Sequence, residues 1–163
     1  MTSWGSAAVS FDGVRGPAAL VAPMPVERVF TRAERLHSGK GRTLQHWAGR
    51  LAAKYAVLRL LTVQEDEHSL GEVEILPRPS PICGSGAACL HGHPPAVQLR
   101  GTLWTRVRPE RRVGVSISHA ASLAVAVALE SARLPGDGDE GRTCDEGRTC
   151  DEDRTRAGKG ALR

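Results

Sequence analysis

The most regular hydrophobic pattern in the chain runs from Thr43 to Leu61, TLQHWAGRLAAKYAVLRLL. This segment is rich in Ala, Leu and Arg, which are good helix formers, and Thr43 can serve as its N-cap. The large side chains that recur three or four residues apart share one face: Trp47, Leu51, Tyr55 and Leu58. The pattern predicts one long helix, with the neighbouring Arg50 and Lys54 on a solvated face.

Two further segments have the patterns of β-strands. Apolar residues alternate with Gly and Ser over residues 113–118, which is typical of a half-buried strand, whereas residues 123–129 are continuously apolar, as in a strand covered on both faces. His119 falls where the first strand ends, and the small residues around it leave room for a ligand. Weaker patterns predict strands at residues 71–76 and 96–99.

The segment between these weaker strands, residues 77–95, is dense in Pro and Gly and predicts a surface loop. It contains side chains of the types that bind zinc, namely Cys83, Cys89, His91 and His93. Their spacing, C-x5-C-x-H-x-H, matches no common zinc knuckle, in which paired ligands are two to four residues apart. A zinc site is therefore not favoured.

The last part of the chain, residues 136–163, is built from a six-residue unit, DEGRTC, repeated nearly three times. It offers almost no apolar side chains for a core, so it is predicted to be a disordered tail following a folded domain at residues 1–135. Two of the four cysteines lie in it. Because no secretory signal is evident, all four are expected to be free thiols.

The composition narrows the function. In 163 residues no apolar run is long enough to cross a bilayer, and the absence of a signal pattern makes a cytoplasmic location the expectation. The tail carries a net charge of −2 and the rest of the chain +6, which favours an acidic partner or an anionic ligand. A nucleic-acid-binding module is the alternative from another class. It is disfavoured because no basic strand interleaved with aromatic residues, helix-turn-helix or finger spacing is present.

Several segments, taken in order, resemble the holo-acyl-carrier-protein synthase type of 4′-phosphopantetheinyl transferase. They are VSFDGV at 9–14, RVFTRAER at 28–35, WAGRLAAKYAV at 47–57 and SISHAASLAVAVAL at 116–129. The resemblance spans residues 9–130, with the Pro- and Gly-rich loop as an insertion. It implies a small α+β domain in which a long helix packs on an antiparallel sheet, assembled as a homotrimer with active sites at the subunit interfaces.

The resemblance also implies a reaction. Such enzymes transfer 4′-phosphopantetheine from coenzyme A to a serine of an apo acyl carrier protein, with Mg²⁺ bridging the diphosphate. Carried over by motif, Asp12 is the metal ligand, Arg50, Ser118 and His119 bind coenzyme A, and Lys54 and His119 are catalytic. From the residues alone, Asp12 is equally well explained as a turn residue before Gly13.

Two departures from the family pattern leave a second hypothesis open. Tyr55 occupies the position of the family's metal-binding Glu, and a neutral phenol is a poor ligand for Mg²⁺. The segment after Asp12, whose family counterpart is a basic helix facing the carrier, is interrupted by Gly16, Pro17, Pro23 and Pro25, although Arg15, Arg28, Arg32 and Arg35 can supply a basic patch. The alternative is a catalytically impaired relative that binds coenzyme A or a carrier protein.

Overall fold

The computed structural model describes residues 3–39, 43–78 and 93–132. Its strands are β1 (Trp4–Ser10), β2 (Val73–Pro77), β3 (Pro95–Leu99), β4 (Arg111–His119) and β5 (Leu123–Ala132). Its helices are α1 (Pro17–Val21), α2 (Val26–Val29), α3 (Arg32–Gly39), α4 (Leu44–Leu60) and α5 (Glu67–Gly71), and a 3₁₀ helix covers Gly101–Arg106. The strands form one antiparallel sheet in the order β1-β5-β4-β3-β2, which confirms the predicted α+β class. Within the described residues, no helix combines the length and apolar character needed to cross a membrane.

Helix α4 is the long helix that the hydrophobic pattern predicts, with Thr43 as its N-cap residue and Leu61 as its C-cap residue. It crosses the inner face of the sheet and also contacts α1 and α5. Because neighbours surround it on several sides, Arg50 and Lys54 are only 8% and 0% exposed. The prediction that these two residues lie on a solvated face is therefore wrong.

Small side chains on the inner face of the sheet let α4 approach closely. On β5 these are Ala124, Ala126 and Ala128, all of them buried. On β1, a Cβ added to Gly5 would lie 2.5 Å from the backbone nitrogen of Leu60 and would also overlap the α4 carbonyl oxygen of Ala56. The helix backbone thus rests directly on β1 at this point.

The outer face of the sheet carries a row of exposed apolar side chains along β5. Strand β5 alternates between the buried alanines and outward-facing side chains that are 36–47% exposed: Leu123, Val125, Val127 and Leu129. Trp4, paired with Leu129 across the strands, is 64% exposed. The prediction that this strand is covered on both faces is thus wrong for the single chain, because α4 covers only the inner side.

The sheet opens between β3 and β4. Strands β2 and β3 pair along their whole length, from Val73 with Leu99 to Pro77 with Pro95, whereas β3 and β4 are joined through Ala96 and Gly114. The pairing of β2 with β3 continues one residue further, because Arg78 N–H donates to the carbonyl oxygen of Pro94 at 2.9 Å. The end of β4 near His119 extends past the pair that joins it to β3, and a gap remains at this end of the sheet.

Helix α5 has no counterpart in the predicted pattern. Asp66 caps it by accepting a hydrogen bond from the backbone N–H of Ser69 at 2.8 Å, and hydrogen bonding lowers the pKa of Asp66. The helix ends at Gly71, so β2 begins at Val73, two residues later than predicted. The predicted break after β1 is observed, since only the short helices α1 and α2 form between Gly16 and Phe30.

Some predictions concern residues outside those described. They are the conformation of most of the Pro- and Gly-rich loop, the zinc candidates Cys83, Cys89 and His91, and the tail at 136–163. His93 is the one zinc candidate that the described residues include.

Candidate active site

A cavity of about 160 Å³ occupies the opening between β3 and β4. Its apolar wall consists of Ile75, Leu76, Pro77, Pro95 and Ile117, and its polar wall of His46, Arg50, His93 and His119. Gly49 completes the lining. Among the residues that the structure describes, no carboxylate lines the pocket, so the pocket favours an anion that also carries an apolar or aromatic group.

His119 reaches the pocket from the end of β4. The residues of β4 alternate in direction, so Ile117 and His119 face inward to line the pocket, whereas Ser118 between them is exposed on the opposite face. The imidazole of His119 lies against α4 at Gly49, and its centroid is 6.4 Å from that of His46. The structure thus brings His119 together with Arg50 and separates Ser118 from both.

Arg50 enters the pocket from α4 while most of its side chain is buried. Its Nε donates a hydrogen bond to the carbonyl oxygen of Ile75 at 3.0 Å, and its Nη1 donates to Ser38 Oγ on α3. These bonds fix the orientation of the guanidinium between β2 and α3. A fixed cation at the wall of a partly apolar cavity binds phosphate more strongly than a solvated one would.

Lys54, one helical turn further along α4, is directed to protein groups. Its Nζ forms an ion pair with the Glu34 carboxylate at 2.9 Å and donates to the carbonyl oxygens of Leu70, at 2.9 Å, and Val73. These three acceptors match the three protons of an ammonium group. Burial lowers the pKa of Lys54, and the Glu34 carboxylate opposes that shift. A direct catalytic role for Lys54 stays a prediction, and in this structure its contacts are structural.

The Glu34 carboxylate is part of a buried polar network. It accepts hydrogen bonds from the backbone N–H groups of Thr31, at 2.8 Å, and Ile75, at 2.9 Å. The Thr31 hydroxyl in turn donates to Glu74, whose carboxylate pairs with Arg100 at 2.7 Å. Helix α3 is therefore held to α4 and β2 through compensated charges beside the pocket.

Asp12 lies at the same end of the sheet as His119. It is exposed in a turn closed by the hydrogen bond from Val14 N–H to the carbonyl oxygen of Phe11, at 3.2 Å, and Gly13 takes the positive φ of 67° that this turn requires. Phe11 N–H donates to the carbonyl oxygen of Ser122 in the β4–β5 turn. The turn that holds Asp12 is thus hydrogen-bonded to the turn that follows His119.

Tyr55 packs against the core and lies on the same side of α4 as Arg59. Arg59, one turn further on, donates from Nη1 to the carbonyl oxygen of Ser6 on β1, at 2.9 Å, and forms an ion pair with Glu65 at 2.6 Å. Burial, and then the Glu65 carboxylate, raise the pKa of the half-buried Tyr55 above 10.0, while Arg59 opposes the shift. The phenol is therefore neutral at pH 7.

The chain is similar to several solved structures of synthases. The acyl carrier protein synthase–coenzyme A complex from Chronobacterium ammoniagenes matches with a TM-score of 0.61 and 24% identity, covering 82% of this chain and 99% of that one. The chain has the holo-acyl-carrier-protein synthase fold. The Helicobacter pylori holo-acyl-carrier-protein synthase in complex with coenzyme A has a TM-score of 0.56, 21% identity and coverages of 78% and 99%. The Mycobacterium tuberculosis acyl carrier protein synthase has a TM-score of 0.53, 23% identity and coverages of 80% and 97%. No protein-family model and no curated protein matches the sequence.

The synthase resemblance implies magnesium, and the side chains present can be tested against that ion. Among the described residues, no group of three His, Cys, Asp or Glu side chains is arranged to hold a metal ion. Mg²⁺ in phosphoryl-transfer sites is commonly held by one or two carboxylates together with the phosphates of the substrate. Asp12, the predicted ligand, is not among the residues that line the pocket, so its role in holding magnesium stays a prediction.

Sequence reasoning missed His46 and Gly49 as pocket residues, and considered His93 only for zinc. His46 precedes Arg50 by four residues and therefore shares its helix face, which is the one signal in the sequence that connects them. Its Nδ1 lies 3.2 Å from the hydroxyl of Thr43, which orients the ring. His93 joins the pocket only because β3 pairs with β2, and no local pattern indicates that pairing.

Proposed function

We propose that this protein transfers 4′-phosphopantetheine from coenzyme A to a serine of an apo acyl or peptidyl carrier protein, of the kind used in fatty acid or polyketide biosynthesis. The observation that carries the proposal is the pocket between β3 and β4, in which Arg50 and His119 converge opposite an apolar wall. A nucleotide phosphate next to a flat base has this combination of negative charge and apolar surface. The synthase fold around the pocket supports the same function.

In the reaction, the serine Oγ bonds to the phosphorus that bears the pantetheine arm. The bond from that phosphorus to the bridging oxygen breaks, and adenosine 3′,5′-bisphosphate leaves with that oxygen. Arg50, fixed by Ser38 and Ile75, binds phosphate oxygens and offsets their charge. Imidazole is the side chain that takes up a proton near neutral pH, and we assign the serine proton to His119.

The other sequence-predicted residues take supporting parts in the proposal. A magnesium ion carried by the diphosphate, with Asp12 as its ligand, would supply charge neutralisation. Lys54 holds α4 to β2 and α3 and so keeps Arg50 in place. Ser118, on the opposite face of β4, would contact coenzyme A only if that ligand also reaches the outer face of the sheet.

An acidic carrier protein would meet the basic surface near α3. Arg28 and Arg32 are exposed there, and Leu36 on α3 is 59% exposed. Arg35 is partly exposed beside them, and its Nη1 donates to the carbonyl oxygens of Glu27 and Phe30, which holds its positive charge next to this surface. Ser38, at the end of the same helix, binds Arg50, so the basic surface lies next to the pocket.

The transfer reaction is tested by incubating the purified protein with coenzyme A, Mg²⁺ and a panel of apo carrier proteins, and measuring the carriers' masses. We expect one carrier to gain a single phosphopantetheine arm. His119→Ala should abolish the gain, whereas His68→Ala, at a 75% exposed histidine on α5, should not. A wild-type protein that modifies no carrier in the presence of Mg²⁺ would contradict the proposal.

The neutral phenol of Tyr55 specifically favours a second candidate, a relative that binds coenzyme A or a carrier protein without transfer. One experiment distinguishes this binding protein from the transferase. Coenzyme A binding by calorimetry, together with unchanged carrier masses, would establish the binding protein.

We further propose that the protein is a homotrimer assembled through the outer face of the sheet. That face carries a row of exposed apolar side chains along β5, centred on Val127, which is flanked by the small side chains of Ser6 on β1 and Ser116 on β4. An exposed apolar surface of this kind is typical of an interface between subunits. A second and third copy of the chain would cover the residues that α4 leaves exposed.

Val127→Lys is expected to convert the trimer to a monomer, because assembly would bury an unpaired ammonium group. Light scattering after size-exclusion chromatography measures the mass. Glu67→Lys, at an exposed position on α5, introduces the same side chain away from the sheet and should leave the mass unchanged. A wild-type protein that is monomeric at micromolar concentration would rule the trimer out.

A further inference from the structure

We infer that Gly49 is a positioning residue, whose missing side chain allows the imidazole of His119 to lie against α4 in the pocket. The inference about geometry stands on the structure alone. Its consequence for phosphopantetheine transfer rests on the function proposed above.

The space between α4 and β4 at this point has no room for a side chain. A Cβ added to Gly49 would come closer than 3.0 Å to Nε2 of His119, a separation that Cβ atoms essentially never show. It would also lie 3.3 Å from Cε1 of the same ring and 3.1 Å from Cγ2 of Ile117. Two successive inward-facing residues of β4 therefore contact the helix at the same glycine.

Backbone conformation gives no reason for glycine here. Gly49 is the sixth residue of a seventeen-residue α-helix, and its φ is not among the positive values. Glycine is the least favourable residue in a helix interior apart from proline, so its presence at this position destabilises α4. The close approach of His119 and Ile117 explains why glycine occupies position 49, although glycine has a low helix propensity.

The consequence concerns where His119 is held. With Gly49 in place, the ring faces His46 across 6.4 Å and lies next to Arg50, the following residue of α4. An alanine methyl group would push the ring outward by about 1 Å to restore an ordinary contact distance. Ile117 lies within the body of β4 and moves less easily, so the displacement falls mainly on His119.

Gly49→Ala is expected to reduce kcat/KM for carrier modification roughly 10- to 100-fold, the usual effect of misplacing a reacting group by about 1 Å. The free energy of unfolding should change little, since alanine favours the helix while the contact with Ile117 opposes it. Gly114→Ala is the matched control, because it lies on the same strand as His119 and a Cβ there meets nothing within 4 Å. That variant should retain wild-type activity.

The position of the ring is measured directly by ¹H–¹⁵N NMR of the imidazole groups, with the His119 signals assigned by their loss in His119→Gln. We expect Gly49→Ala to shift the His119 and His46 signals and Gly114→Ala to leave them in place. In a His119→Ala background, Gly49→Ala should cause no further loss of coenzyme A affinity, which a purely structural role of Gly49 would not predict.

The outcomes for the two proposals are separable. Wild-type signals for His119 in Gly49→Ala would overturn the positioning role, even if the protein transfers phosphopantetheine. If Gly49→Ala shifts the His119 signals but the wild-type protein modifies no carrier, the positioning role of Gly49 stands and the transferase function is refuted. An equal loss of activity in Gly49→Ala and Gly114→Ala would also overturn the positioning role of Gly49.

Discussion

Replacing Lys54 with alanine is expected to lower the free energy of unfolding by about 3–5 kcal/mol, the usual cost of removing one partner from a buried ion pair. Lys54 and Glu34 are both 0% exposed, and the substitution leaves the carboxylate without its counter-charge. Two carbonyl oxygens, of Leu70 and Val73, lose a donor at the same time. Since single domains are stable by about 5–15 kcal/mol, the loss is a large part of the total. Urea denaturation followed by tryptophan fluorescence measures it.

The matched control for this prediction is Arg59→Ala on the same helix. Arg59 and Glu65 also form a short ion pair, but their side chains are 50% and 33% exposed, so the expected loss is below about 1 kcal/mol. Lys54→Met combined with Glu34→Gln should recover part of the lost stability, because no charge then remains unpaired. A stable Lys54→Ala protein that has lost only transfer activity would instead assign Lys54 to catalysis.

The burial of Lys54 is a feature that the sequence alone did not predict. Two basic residues four apart on a helix predict a solvated face, and no local pattern indicates otherwise. The groups that compensate Lys54 are a carboxylate on α3, twenty residues earlier, and two backbone carbonyl groups near β2. Pairings of this kind depend on tertiary contacts, which residue spacing does not encode.

The long helix α4 and the strands β4 and β5 follow from short-range patterns and were predictable, whereas α5 was not. The bounds of α4 agree with the pattern to within one residue at each end, and β4 and β5 meet at His119 as expected. The pocket was not predictable in the same way. It lies where β4 extends past the pair Ala96 and Gly114 that joins it to β3, and the prolines that line it indicated only a loop in the sequence.

Asp12, the proposed magnesium ligand, is the second residue at which a large effect is expected. Asp12→Ala should reduce transfer roughly 100-fold or more, as with other groups that stabilise charge in a transition state. The residue is exposed in a turn, so the free energy of unfolding should change by less than about 0.5 kcal/mol. Activity and urea denaturation, measured on the same preparation, separate the two effects. Unchanged transfer in Asp12→Ala would remove this residue from the site.

Tyr55 occupies the position at which the resemblance implies a second carboxylate for the proposed magnesium ion. Burial and the nearby Glu65 raise the pKa of the phenol, so it offers no anionic oxygen to a cation at neutral pH. Tyr55→Phe removes only the hydroxyl group and should leave transfer and its Mg²⁺ dependence at wild-type values. A Tyr55→Phe protein that needs more Mg²⁺ for half-maximal transfer would show instead that the hydroxyl oxygen contributes to the site.

Tyr55→Glu should have the opposite consequence. The surroundings that raise the pKa of the phenol also disfavour an ionised carboxylate, so this variant is expected to unfold at a lower temperature than wild type in the absence of ligand. Coenzyme A together with Mg²⁺ should restore the melting temperature, because a cation near the carboxylate compensates the charge in the folded state only. The same ligands with Asp12→Ala added should restore less, since one of the two carboxylates is then absent. If Mg²⁺ stabilises Tyr55→Glu no more than it stabilises the wild-type protein, position 55 does not face the metal, and the family's second ligand has no counterpart in α4.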